Sequence, residues 1–178
     1  MPASVEFFKR HPNPVLVETG TYLGEGIDAA LAAGFLQVRS VELSDTLYNR
    51  ALAKFAGHPG VKLFLGTSET QLAAMIADIR TPITFWLDAH FSGGVTVKGP
   101  ENSPIMKELA VIAAHPIKTH TILIDDRRQV GTADFDFVTE AQIRAAIMRI
   151  NPGYAISYDT ASLAHPMFVN DVIVAHVA

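Results

Sequence analysis

The chain has 178 residues, of which 49% are hydrophobic and 18% are charged. This composition excludes a disordered protein and is sufficient for a sizeable core, so we expect one domain over residues 1–178. The net charge of −4 argues against nucleic acid as the main partner, and the absence of cysteine excludes disulfides, thiolate metal sites and cysteine nucleophiles.

The sequence carries no pattern of a targeting or membrane segment. The N-terminal stretch MPASVEFFKRHPNP lacks the continuous apolar run of a signal peptide. No run approaches the roughly 18 apolar residues of a membrane span. We therefore expect a soluble, cytoplasmic protein without a membrane partner, and both a monomer and a homodimer remain open.

Short apolar runs alternate with helix-patterned segments along most of the chain. Unbroken runs of this length are typical of parallel strands that are covered on both faces. Capping-box spacing, in Ser68 with Gln71 and in Thr139 with Gln142, marks the start of two helices, and a further helix is predicted over 105–114. The five strand-like runs are VLVET (15–19), QVRSVEL (37–43), VKLFLGT (61–67), ITFWLDA (83–89) and HTILIDD (120–126).

The end of the chain breaks this alternation. Two strand-like runs, YAISYD (154–159) and DVIVAHV (171–177), are separated by only TASLAHPMFVN. Parallel neighbours need a crossover of about a dozen residues or more, so the shorter link favours an antiparallel pair. The sequence thus predicts a doubly wound, mostly parallel α/β sheet of seven strands that closes with an antiparallel C-terminal hairpin.

Acidic residues end or follow four of the five parallel strands. Glu18 and Glu42 lie at the ends of the first two strands, Asp88 ends the fourth, and Asp125 and Asp126 end the fifth. In an open α/β sheet the carboxyl ends of the parallel strands share one edge, and ligands bind outside that edge. These acids are more than a solvated surface needs, so we expect one ligand site there.

The stretch ETGTYLGEG (18–26) has the form E-x-G-x-x-x-G-x-G, which indicates a ligand loop between strand and helix. Its second half, GEGIDA (24–29), fits G-x-G-x-x-A, and Glu42 follows at a suitable distance, so a nicotinamide oxidoreductase is one alternative. In the dinucleotide fold, however, the first glycine sits at the turn that leaves the strand. Here several residues precede Gly24, and the acid Glu18 would repel phosphate but attract a cation or an amine.

With these motifs in order, the chain resembles class I S-adenosylmethionine-dependent methyltransferases. The resemblance rests on the glycine loop, the acid ending the second strand, GTS (66–68) after the third strand, and the terminal hairpin. It implies a Rossmann-like methyltransferase fold and S-adenosylmethionine as the cofactor. Glu18 would face the methionine part, Glu42 the ribose hydroxyls and Ser68 the adenine. The cofactor-binding residues it implies are Glu18, Gly20, Tyr22, Gly24, Glu42, Leu43, Ser68 and Asp88.

A narrower resemblance comes from FWLDAHFSGG (85–94) and ILIDD (122–126), which are similar to metal-assisted O-methyltransferases of the macrocin type and, more distantly, the catechol type. It implies that Asp88, Asp125 and Asp126 hold magnesium, a hard ion that prefers oxygen ligands. Such an ion would lower the pKa of a substrate hydroxyl. Asp88 and His90 are the catalytic candidates; His90 follows the fourth strand and would act as general base, as metal ligand or as loop anchor.

The predicted function is methyl transfer from S-adenosylmethionine to a hydroxyl of a small-molecule acceptor, with or without magnesium. A non-catalytic S-adenosylmethionine-binding module or subunit and an NAD(P)-dependent oxidoreductase are the alternatives. Purely structural roles are the alternatives for single residues. Ser68 would suit a helix N-cap, and Asp125 and Asp126 would pair with Arg127 and Arg128. Two glycine-containing loops, 91–104 and 127–137, leave the carboxyl edge and are expected to close over the substrate.

Overall fold

A computed structural model describes residues 3–88, 102–162 and 166–177, and its strands form one seven-stranded sheet in the order β3-β2-β1-β4-β5-β7-β6. Strands β1 to β5 are mutually parallel, whereas β7 runs antiparallel to both β5 and β6. The predicted fold class, including the closing hairpin, is therefore confirmed. The strands are β1 Val15–Thr19, β2 Gln37–Glu42, β3 Val61–Leu65, β4 Ile83–Leu87, β5 Thr121–Ile124, β6 Tyr154–Asp159 and β7 Val172–Val177.

Six α-helices accompany the sheet in the described ranges, and none of them has the length and apolar character that crossing a bilayer requires. They are α1 Val5–Lys9, α2 Glu25–Ala33, α3 Asp45–Lys54, α4 Ser68–Ile76, α5 Ile105–Ala114 and α6 Glu140–Ile150. Three short 3₁₀ helices lie at Arg127–Gln129, Ala133–Phe135 and Pro166–Phe168. Helix α5 has the predicted bounds. Helix α1 was not predicted, because five residues are too few to show a helical period.

Apolar side chains fill both faces of the sheet, since successive strand residues point to opposite sides. On one face Val17 and Phe85 pack with residues of α4, α5 and α6. On the other face Leu16 and Trp86 pack with residues of α1 and α2. Phe7, fully buried on α1, meets the Trp86 ring edge to face at 5.6 Å between centroids. The short first helix is thus held by aromatic packing on this second face.

The two predicted capping boxes have different outcomes. At α6 the prediction is confirmed: Thr139 and Gln142 make both reciprocal bonds of the motif. At α4 it is wrong, because Thr67 is the N-cap residue and Ser68 is already the first helical residue. Strand β3 ends at Leu65, two residues before its predicted end, and Gly66 follows with φ of +138°, a conformation that side-chain-bearing residues rarely adopt.

Candidate functional site

The structure brings the strand-end acids together at the carboxyl edge of the parallel sheet. Glu18 is the next-to-last residue of β1, Glu42 ends β2, and Asp88 and Asp125 directly follow β4 and β5. Negative charge on Asp88 raises the pKa of both Glu18 and Asp125, and Glu42 contributes at Glu18 as well. The acids are therefore close enough to repel one another, as a single site requires.

Glu18 is buried at the base of the glycine loop. The residue is only 2% exposed, and the Ser40 hydroxyl donates a 2.6 Å hydrogen bond to Glu18 Oε2. Burial raises the pKa of Glu18 to about 8, opposed by the Ser40 hydrogen bond and reinforced by the nearby carboxylates. A Cβ atom at Gly26 would lie 1.9 Å from Glu18 Oε1. A side chain at position 26 would therefore displace either this carboxyl or the first turn of α2, which covers it.

The glycine loop, residues 20–24, joins β1 to α2 in a left-handed backbone conformation at three positions. Gly20, Tyr22 and Gly24 have φ of +92°, +49° and +73°. The backbone N–H groups of Gly20 and Thr21 both donate to the Val41 carbonyl, at 3.0 and 3.1 Å. Gly24 is the N-cap residue of α2 and does not sit at the turn that leaves β1. This arrangement differs from the dinucleotide-binding turn.

Glu42 ties the glycine loop to the start of α3. Its Oε2 accepts from the Tyr22 backbone N–H and its Oε1 from the Ser44 N–H, both at 2.9 Å, and the residue is buried. Ser44 is in turn the N-cap of α3, and half-buried Leu43 lies between the two. Because a carboxylate offers about four lone-pair positions, Glu42 retains the capacity to accept two further donors, such as vicinal hydroxyls.

A buried acid that the sequence reasoning missed, Glu108 of α5, lies beside Ser68. Neither Glu108 Oε1 nor Ser68 Oγ has a hydrogen-bond partner among the described residues, and both side chains are almost fully buried. Burial raises the pKa of Glu108 to about 7, and the nearby hydroxyls of Ser68 and Thr19 oppose that rise. A signal was present in the sequence, since Glu108 interrupts the apolar stripe of α5 next to Leu109.

Asp88, Asp125 and Asp126 form a cluster that can accommodate a metal ion. One carboxylate oxygen from each residue lies within 4.8 Å of the other two. Burial and the charges of Asp88 and Asp126 raise the pKa of Asp125 well above its usual range. A bound dication would relieve this repulsion, and three carboxylates match the oxygen preference of magnesium. The residues present therefore fit such an ion.

Asp126 also has a cationic neighbour in the protein. The Arg128 guanidinium forms ion pairs with both Asp126 and Asp171, and the Arg128 N–H donates to Asp171 Oδ1 at 2.8 Å. The ion pair between Asp126 and Arg128, which was the structural alternative for Asp126, is thus present. Arg127 instead pairs with Glu140 of α6, at 3.0 Å between Nε and Oε2.

The two loops that were expected to close over a substrate are described to different extents. His90 lies outside the described residues, as does the loop 91–104 apart from residues 102–104. The loop 127–137 contains two of the 3₁₀ helices. It contacts the start of α5 through Asp136, whose Oδ2 accepts from the Asn102 and Ser103 N–H groups at 2.8 and 3.0 Å.

Comparisons with known proteins establish the fold. An O-methyltransferase from Bacillus cereus, in complex with S-adenosylhomocysteine, aligns over 98% of this chain and 78% of its own, with a TM-score of 0.61 and 12% identity. The S-adenosylhomocysteine-bound methyltransferase PaMTH1 of Podospora anserina aligns over 92% and 71%, with a TM-score of 0.55 and 13% identity. Spermidine synthase from Thermotoga maritima aligns over 98% and 57%, with a TM-score of 0.56 and 11% identity.

The chain therefore has the Rossmann-like fold of S-adenosylmethionine-dependent methyltransferases. No protein-family model matches the sequence. No curated protein sequence matches it either. At identities this low the structural likeness defines the fold, and the chemistry has to be argued from the residues at the carboxyl edge.

Proposed function

We propose that this protein transfers a methyl group from S-adenosylmethionine to a hydroxyl of a small-molecule acceptor, with magnesium assisting. The observation that carries the proposal is the buried Glu18 carboxyl, held under the glycine loop among other acids. A buried acid in this position gains most from a positively charged ligand. The sulfonium and amine of S-adenosylmethionine provide such charge.

The remaining contacts suit the other parts of that cofactor. Glu42 has acceptor capacity left for the two ribose hydroxyls while it keeps the glycine loop in place. Ser68 offers its buried hydroxyl for the adenine, at the N-terminus of α4. Gly20, Tyr22, Gly24 and Leu43 would contribute mainly the shape of the loop, because the N–H groups of Gly20, Tyr22 and Gly24 already donate to acceptors within the protein.

Asp88, Asp125 and Asp126 would hold the magnesium ion. Bound there, the ion would supply a Lewis acid that favours the ionised form of the acceptor hydroxyl. The protein residues would orient donor and acceptor for in-line displacement, which depends strongly on near-attack geometry. Half-buried Asp88 or His90 would take the acceptor proton, and loop 127–137 would restrict water at the site.

Calorimetric titration with S-adenosylmethionine tests the cofactor assignment, and we expect saturable binding. NADH and NADPH serve as the contrasting ligands, and tight binding of either without S-adenosylmethionine binding would contradict the proposal. The five-residue loop before α2 and the acid beneath it favour S-adenosylmethionine over a pyrophosphate ligand.

Turnover with a panel of hydroxylated acceptors, with and without magnesium, tests the reaction. We expect Asp125→Asn to lower magnesium-dependent turnover by at least about tenfold, because it removes one of few charged ligands. Glu6→Gln, which changes an exposed acid on α1, is the control and should be close to wild type. Cofactor binding without turnover of any acceptor would instead favour a binding module.

A further inference from the structure

The carboxyl edge already contains a positive charge beside the candidate metal ligands. The Arg128 guanidinium lies between two buried carboxylates, Asp126 in the turn after β5 and Asp171 just before β7, each only 4% exposed. Its Cζ also lies 4.9 Å from the centre of the Phe168 ring. Three neighbours therefore contact the Arg128 guanidinium, while 30% of the side chain remains exposed.

Asp171 contacts both the backbone and the side chain of Arg128. The Asp171 carboxylate accepts from the Arg128 backbone N–H at 2.8 Å and pairs with the Arg128 guanidinium, while the Asp171 carbonyl accepts from the Arg127 N–H at 2.7 Å. The turn after β5 is thus bound to the loop before β7 through one residue. The Arg128 guanidinium thus forms ion pairs with both Asp171 and Asp126.

We propose that Arg128 competes with the metal ion for Asp126, and that Asp171 sets the strength of this competition by drawing the guanidinium away. The proposal rests on the metal role assigned above to the Asp88, Asp125 and Asp126 cluster. Asp126 cannot give its full charge to a dication while it balances a guanidinium, because the two cations repel each other across a few ångströms. Asp88 and Asp125 would then be the stronger ligands.

Competition predicts effects of opposite sign for the two partners. Arg128→Gln frees Asp126 and should tighten metal binding, whereas Asp171→Asn leaves Arg128 to Asp126 alone and should weaken it. A merely structural role predicts that both substitutions weaken binding, because each would loosen the turn that carries Asp125. The direction of the Arg128→Gln effect therefore separates the two accounts.

The measurement is titration with Mn²⁺ followed by the electron paramagnetic resonance signal of the free ion, with displacement by Mg²⁺. We expect Mn²⁺ to bind about tenfold more tightly to Arg128→Gln and about tenfold more weakly to Asp171→Asn. Arg127→Gln is the matched control, since Arg127 pairs with Glu140 and not with the cluster, and it should stay within about twofold of wild type.

Arg128→Gln alone leaves two buried carboxylates without a compensating charge and can prevent folding. The double variant Arg128→Gln/Asp171→Asn removes both members of the ion pair and keeps the local net charge, so it is the second test. Competition predicts tighter Mn²⁺ binding in the double variant, whereas a general field effect predicts no change. Unchanged or weaker binding in both Arg128 variants would overturn the inference while leaving the metal site intact. Absence of Mn²⁺ binding in every form would remove the metal role as well, and S-adenosylmethionine binding in the same samples reports separately on the methyltransferase assignment.

Discussion

The two edges of the parallel sheet both bury ionisable side chains, a histidine pair at the amino edge and several carboxyl groups at the carboxyl edge. At the amino edge, His115 Nδ1 and His120 Nε2 lie 3.0 Å apart, and His120 Nδ1 accepts from the Ile83 N–H at 3.1 Å. Because that N–H occupies Nδ1, the neutral His120 carries its proton on Nε2 and donates it to His115. Burial lowers the pKa of His120 to about 4, so the His120 ring is neutral at pH 7.

The carboxyl edge is different, because its buried groups repel one another. Burial and the charge of Asp88 raise the pKa of both Glu18 and Asp125, and Glu108 Oε1 and Ser68 Oγ have no partner within the described ranges. Burial of ionisable groups alone does not indicate a ligand site, as the histidine pair shows. A buried atom without a partner does not indicate one by itself either, since His115 Nε2 also lacks a partner among the described residues. The convergence of several buried acids at the carboxyl ends of neighbouring parallel strands does indicate one.

The largest expected effect is on stability as a function of pH. Glu18 and Glu108 have pKa values raised from 4.5 to about 8 and about 7, so their folded forms hold protons that the unfolded chain releases. Their stabilising contribution is complete below pH 4.5 and is lost as pH rises toward 8. His120, with a pKa lowered from 6.5 to about 4, acts in the opposite direction up to pH 6.5. Asp125, whose pKa is also raised, adds to the loss, so the free energy of unfolding should fall as pH rises from 4.5 toward 8.

Urea unfolding of the ligand-free protein at a series of pH values measures this slope. Glu18→Gln should flatten the profile between pH 4.5 and 8, because it removes the group whose pKa is raised to about 8. A stability maximum near pH 8 in the absence of ligand would contradict the description of the carboxyl edge.

Gly26→Ala should be the most damaging small substitution at the carboxyl edge. The added Cβ would lie 1.9 Å from Glu18 Oε1, so either the carboxyl or the first turn of α2 has to move. We expect a loss of about 1–3 kcal/mol in the free energy of unfolding and at least about tenfold in S-adenosylmethionine affinity. Gly153→Ala is the control at the amino edge, where the Cβ would be 3.2 Å from the Asn151 side chain. Equal effects of the two substitutions on affinity would argue against the site.

His120→Phe tests the other edge. It removes the acceptor of the buried Ile83 N–H, and we expect a loss of about 1–3 kcal/mol in unfolding free energy without a change in S-adenosylmethionine affinity. His120→Gln, which can still accept from that N–H, should recover part of the stability. A drop in affinity comparable to that of Gly26→Ala would show that the two edges are not independent.

The fold could be predicted from the sequence because its signals are local and repeated. The apolar run 15–19 coincides with β1, and the short link after β6 indicates the antiparallel β7. Since parallel strands align their ends, the order of the residues alone was enough to place the acids at those ends on one edge. The same rule could not say which way each side chain turns or what it contacts.

The remaining features depend on contacts between distant parts of the chain. Asp171 reads as the first residue of a strand, yet it determines where the Arg128 guanidinium lies, 43 residues earlier. Glu108 reads as an irregularity in a helix and becomes a buried acid only because α5 packs on the sheet beside Ser68. Helix α1 is held by aromatic contacts with Trp86 and has little local pattern of its own.

The central claim is that Glu18 binds the positive charge of S-adenosylmethionine. Titration calorimetry across pH 6–8 tests it most directly, with two buffers of different ionisation enthalpy to count the protons released on binding. Because the ligand-free pKa of Glu18 is about 8, binding of a cation should release up to one proton, and affinity should rise with pH by at most about tenfold per unit. The Glu18→Gln variant should bind S-adenosylmethionine more weakly, and its binding should release no proton from position 18. Binding that is independent of pH and unchanged by Glu18→Gln, or no binding at all, would contradict the account.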